Sequence, residues 1–186
     1  RWFAPPVLAT VAQTQRAHTF WLVSWGTLTF ALVTLLTLYS LEPWQLRTYL
    51  VSCAQRLSVT LFTHELNRRG RTQLASWFLV LGLELFITVR AWELGGLHAP
   101  VLPLFIYHMM IAGLLLGERG SVVVAFLATM SGFFLLLAEE MRWLPPSRMN
   151  FTPRLTLFFV AASMAVSLLL QRIVAQTLSE SLKQRE

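Results

Sequence analysis

Apolar and polar stretches alternate along the chain on a scale set by membrane thickness. From Thr19 to Leu41 no residue is charged, and 23 helical residues suffice to cross a ~30 Å hydrocarbon layer. Glu42-Pro43 stops that run, because proline disfavours helical geometry in the residue before it. A second run extends over about 44–66 and a third over about 72–94, joined by the basic turn HELNRRGRT. Gly95-Gly96 and Pro100 form a breaker-rich loop. A fourth run covers about 100–116, Gly117-Glu118-Arg119-Gly120 turns the chain, and a fifth covers about 121–138. Glu139, Glu140, Arg142 and Pro145-Pro146 mark an exit into water, and a sixth run covers about 153–172. Backbone polar groups in lipid must be satisfied within the segment, so runs of this length are read as helices.

The pattern predicts an all-α integral membrane protein, a bundle of six transmembrane helices (19–41, 44–66, 72–94, 100–116, 121–138 and 153–172) with both termini cytoplasmic. Residues 1–18, with Trp2, Phe3 and Pro5-Pro6, are expected to lie at the interface, and residues 173–186 to begin a cytoplasmic signalling helix. Six spans assign Arg1, Arg16, Arg68, Arg69, Arg71, Arg119, Arg172, Lys183 and Arg185 to the side of the termini. Arg47, Arg90, Arg142, Arg148 and Arg154 fall on the other side. Nine cations against five put the termini in the cytoplasm.

Composition agrees. Of 186 residues, 55% are apolar and 13% charged, and mean hydropathy is +0.59, against about 25% charged in soluble domains. The net charge of +6 would point to nucleic acid in a soluble protein, but here the arginines sit between apolar runs as topology signals. No nucleic-acid partner is expected. One cysteine, Cys53, excludes an intrachain disulfide. No small-residue cleavage site follows a short apolar core, so no removable signal peptide is expected. The start at Arg1 and the polar helical end lead us to expect a piece of a longer protein.

Charges inside the runs are the candidate chemistry. Arg56 lies 12 residues before Arg68 and Glu84 lies 13 after Arg71, so both sit roughly 18–20 Å from one interface. His108, 11 residues before Arg119, reaches about the same depth. A charge there costs roughly 2.5–3.5 kcal/mol on insertion scales and needs partners. Ser52 and Thr60 flank Arg56 at four-residue spacing on one helix face, which Glu84 should meet from the next helix. Ser131 and Ser163 reach similar depth. The layer reads either as a structural network fixing helix register or as a pocket or protonation switch that binds a small or lipophilic ligand. At the outer ends Arg90, Trp92, Glu93, His98, Glu139 and Glu140 could rim a mouth or merely anchor the bundle.

The four histidines have no ligand spacing, so no metal and no cofactor is expected. Nucleophile-elbow, phosphate-loop and paired-cysteine motifs are absent from the sequence. Met164, Leu168, Gln171, Ala175, Leu178 and Leu182 recur at steps of three and four from the sixth run into the polar tail. Such a seam starts a parallel two-stranded coiled coil, or else is the amphipathic end of the last helix.

The run ASWFLVLGLELFITVRAWELGGLHAPVLPLFIYHMMIAGLLLGERGSVVVAFLATMSGFFLLLAEEMRWLPP resembles the six-helix N-terminal membrane regions of bacterial sensor histidine kinases and diguanylate cyclases. The likeness is carried by Gly95, Gly96, Pro100, Tyr107, Ala112 to Gly117, Glu139 or Glu140, and Leu144 to Pro146, within about residues 70–185. It implies a homodimeric sensory input domain in the bacterial inner membrane, surrounded by the lipid bilayer. Its last helix would pass a signal to a cytoplasmic kinase or cyclase module outside this chain. A small transporter or channel with a mid-membrane polar site is the alternative.

Overall fold

A computed structural model describes residues 11–41, 46–99 and 101–145, and every element among them is helical. The sixth run, Ser163 and the whole seam from Met164 to Leu182 lie outside the described residues. Four α-helices follow in order: α1 (Val11–Leu41), α2 (Leu46–Arg68), α3 (Thr72–Glu93) and α4 (Leu104–Glu140), with a 3-10 turn at Gly96–His98 before α4. Three are long and apolar enough to cross a membrane: α1 over Thr14–Thr37, α3 and α4. α2 does not reach that apolarity, because Arg56, Gln55, His64, Glu65 and Asn67 interrupt its leucines and valines.

α4 is a hairpin. At Gly117 the backbone leaves helical geometry (φ 76°, ψ −168°), in the left-handed region that a side chain disfavours. Ser121 Oγ donates to the Met109 carbonyl at 3.4 Å, although twelve helical residues would separate them by about 18 Å. The two arms, 104–116 and 118–140, therefore run antiparallel. The turn is tighter than expected, for Glu118 to Gly120 are already helical.

Helix ends are closed by backbone geometry. After α2, Gly70 takes φ 77°, its N–H bonds to Asn67 O at 3.0 Å, and Arg71 N–H bonds to Leu66 O at 3.1 Å. This is the Schellman arrangement that satisfies orphan carbonyls. α4 ends the same way, with Arg142 N–H on Glu139 O and Trp143 N–H on Ala138 O, but Arg142 occupies the left-handed position (φ 56°) where glycine is usual. After α3 both Gly95 and Gly96 have positive φ. A side-chain carbon on Gly96 would lie 2.6 Å from Leu144 Cδ1 and 3.2 Å from Glu139 Oε2, so the turn is packed against the end of α4.

The described residues divide into two compact units. The first runs to Phe86 and reclaims Leu115–Gly117; the second holds Ile87–Leu114 and resumes at Glu118. In the first, α1 and α2 are antiparallel: Asn67 Nδ2 donates to Ala17 O at 3.2 Å, His64 meets the edge of Trp25 at 6.4 Å, and Cys53 Sγ lies 3.7 Å from Ala31 O. This contact extends α1 back to Val11, eight residues before the expected span, because Ala17 is fully buried against α2. In the second unit the end of α3 runs parallel to the second arm of α4. Thr88 donates to Ser131 at 3.1 Å, Trp92 stacks on Phe134 at 5.3 Å, and His98 reaches Glu139.

Polarity is arranged inside out. α1 buries Ala17, Phe20, Ser24, Thr27 and Ala31 at steps of three and four, and α2 buries Arg56, Thr60, Thr63, His64 and Asn67. Leu32, Val33 and Leu36 of α1, Leu57, Leu61 and Phe62 of α2, and Val122 and Phe126 of α4 are exposed. Exposed hydroxyls are silenced locally: Thr37, Ser40, Ser58 and Thr129 each donate to the carbonyl four residues back.

Candidate functional site

Arg56 is the centre of the first unit. It is 8% exposed, and its guanidinium carbon lies 4.9 Å from the Phe86 ring centre on α3 and 5.8 Å from the Phe30 ring centre on α1. A planar cation between two ring faces gains about 0.5–2 kcal/mol from each. That is comparable with the ~2.5–3.5 kcal/mol that a charge costs at the centre of a bilayer. The aromatic partners were not foreseen from the sequence.

The antiparallel α2–α3 seam shows why Phe86 is the residue that meets Arg56. Phe62 faces Phe78 edge-on at 5.5 Å, a carbon on Gly82 would stand 3.0 Å from Val59, and Arg56 lies over Phe86. Steps of three on α2 are matched by steps of four on α3. Glu84, also buried at 6% exposure, is two residues from both Gly82 and Phe86, hence about 160° around the helix from either. Arg56 and Glu84 are both buried, and at the α2–α3 seam it is the Phe86 ring that lies against Arg56.

Thr60 is buried and Ser52 half-buried on the Arg56 face. That polar stripe goes further than expected, through Thr63, His64 and Asn67 to the end of α2. Thr63 donates to the Val59 and Thr60 carbonyls, and Asn67 to Ala17 O. His64, 3% exposed, sits at the edge of Trp25, and Trp25, Trp21 and His18 form a ladder of rings along α1. The signal was present as polar residues at 52, 56, 60, 63 or 64, and 67, at steps of three and four, but only Ser52, Arg56 and Thr60 were grouped from the sequence.

His108 belongs to the second unit and is fully buried, beside the buried Tyr107. Ser131 is half-buried and accepts the Thr88 hydrogen bond. Residues near the outer ends of the runs form two local pairs in this unit. Arg90 Nη1 pairs with Glu93 Oε2 at 2.5 Å, and His98 Nε2 lies 3.3 Å from Glu139 Oε1. Trp92 stacks on Phe134, whereas Glu140 points to the exterior. Among the described residues no three His, Cys, Asp or Glu side chains converge as metal ligands. No protein family, curated protein or solved structure matches the chain.

Within the first unit, a buried arginine held by rings, a buried glutamate and a buried histidine can order the helices that carry them.

Proposed function

We propose that this chain is the membrane-embedded sensory input domain of a bacterial signal-transduction protein. The observation that carries the reading is the inside-out polarity: a polar seam with a buried arginine inside, and leucine, valine and phenylalanine faces outside. Six spans place both termini in the cytoplasm, where arginine is most frequent. α2 is the second span despite its polar residues, because Arg56, Thr60, Thr63, His64 and Asn67 turn inward and leave an apolar face for lipid. The domain works as a homodimer in the inner membrane. A small or lipophilic ligand, or a proton, acts on the residues that residue counting puts near mid-membrane depth, Arg56, Glu84, His108 and Ser163. The sixth helix then shifts and hands the change to a cytoplasmic kinase or cyclase module through Met164, Leu168, Gln171, Ala175, Leu178 and Leu182. The likeness to sensor kinase and cyclase membrane regions supports this output.

The test is disulfide cross-linking in the full-length protein, with Cys53→Ser and single cysteines at each position from 171 to 182. Cross-links should peak at Gln171, Ala175, Leu178 and Leu182. A flat profile would remove the dimeric output helix. A transporter or channel is the second reading, favoured by the burial of Glu84 and Arg56 in the core. Solute flux in proteoliposomes that Glu84→Gln abolishes would favour it over sensing.

A further inference from the structure

The first unit carries a strongly cationic end that the sensing role does not use. Arg68, Arg69 and Arg71 are all exposed at the Gly70 turn between α2 and α3. Arg16 on α1 is exposed too, and it directly precedes Ala17, whose carbonyl is tied to Asn67 beside the turn. Glu65 is the one acid among these residues, bonded to Arg69 at 2.9 Å and 3.8 Å from Arg68. Four arginines less one glutamate leave this end at +3. The first-turn amides of α3, starting at Thr72, open at the same place and add the positive end of a helix dipole.

Next to the charge lies exposed apolar surface. Leu74 and Phe78 on α3 and Leu61 and Phe62 on α2 are all more than 40% exposed, and Phe62 and Phe78 pack edge to face as a ridge. An anion held at the arginines would carry any hydrocarbon attached to it along that ridge. A nucleic acid or an acidic peptide matches the charge but not the ridge. We infer that the α2–α3 turn, with Arg16, binds the phosphate headgroup of an anionic phospholipid whose acyl chains lie along Phe62, Leu74 and Phe78. Each such cation near an anionic leaflet gains about 1 kcal/mol, so four act together as a binding site instead of only a topology signal. The inference rests on the membrane reading and is independent of signalling.

The probe is dioleoyl phosphatidylglycerol added to the protein in dodecyl maltoside, followed by thermal unfolding and by native mass spectrometry. The glycerol lipid should raise Tm by about 2–4 °C and leave a retained lipid adduct. Dioleoyl phosphatidylcholine and inorganic phosphate should do neither, and 1 M salt, where screening is within about 3 Å, should remove the effect. Arg68→Gln/Arg69→Gln/Arg71→Gln should lose the shift and the adduct, while Arg142→Gln, at the far end of α4, keeps both. Should the triple variant not fold, Arg16→Gln alone is expected to reduce the adduct several-fold. An equal shift with phosphatidylcholine or with inorganic phosphate overturns the lipid assignment. An adduct unchanged in the arginine variants overturns the site. Sided labelling of the loops tests the membrane reading separately, so failure of one is distinguishable from failure of the other.

Discussion

Arg56 shows how a charge is kept inside an apolar protein without leaving the page of ordinary side-chain chemistry. The guanidinium is weakly hydrated and flat, so it can lie against ring faces that an ammonium would use less well. Its position between Phe30 and Phe86 predicts that the rings, as much as any carboxylate, keep it buried. Phe86→Leu should lower the unfolding temperature in detergent, and Phe30→Leu/Phe86→Leu should lower it further, with a combined loss of about 1–3 kcal/mol. Arg56→Lys should cost more than Arg56→Met, because lysine keeps the buried charge and gives up the flat stack. Thermal unfolding of the four variants measures this; an Arg56→Lys protein as stable as the parent would discount the rings. Sequence reasoning found Arg56 and Glu84 because a charge in an apolar run is conspicuous. It did not find Phe30 or Phe86, since phenylalanine in such a run looks like any lipid-facing residue.

At the level of elements, breakers were legible and long-range seams were not. Gly-Gly after α3 and the glycines after residue 116 announced turns, and the chain turns at both. The polar stripe of α2 was half legible: Ser52, Arg56 and Thr60 were grouped by spacing. Thr63, His64 and Asn67 were missed because only packing against α1 shows that they face inward. The start of α1 at Val11 was hidden for the same reason, since Gln13, Gln15 and Arg16 look interfacial until Ala17 is seen buried. Two substitutions test the helix ends. Arg142→Gly should stabilise the protein by about 1 kcal/mol, because it relieves a side chain in left-handed geometry at the end of α4. Gly96→Ala should destabilise by about 1–3 kcal/mol, combining positive φ with a clash on Leu144. Opposite shifts in Tm are expected; a neutral Gly96→Ala would contradict the packed turn.

Among the described helices, the one that falls short of membrane-crossing apolarity is the one whose polar face is covered. α2 fails the apolarity that α1, α3 and α4 meet, yet it packs against α1 and against Phe78, Gly82 and Phe86 of α3 with its polar side inward. An α2 that crosses the membrane inside a bundle is the central claim, and the even number of spans, the cytoplasmic termini and the output helix depend on it. The Gly70 turn must then face the side opposite the C-terminal end of α1. The direct measurement labels single cysteines, in a Cys53→Ser background in intact cells, with a membrane-impermeant maleimide. Arg69→Cys should react only after the membrane is opened, Ser40→Cys at the end of α1 should react in intact cells, and Thr60→Cys should be protected in both. Labelling of Arg69→Cys and Ser40→Cys from the same side would contradict the account.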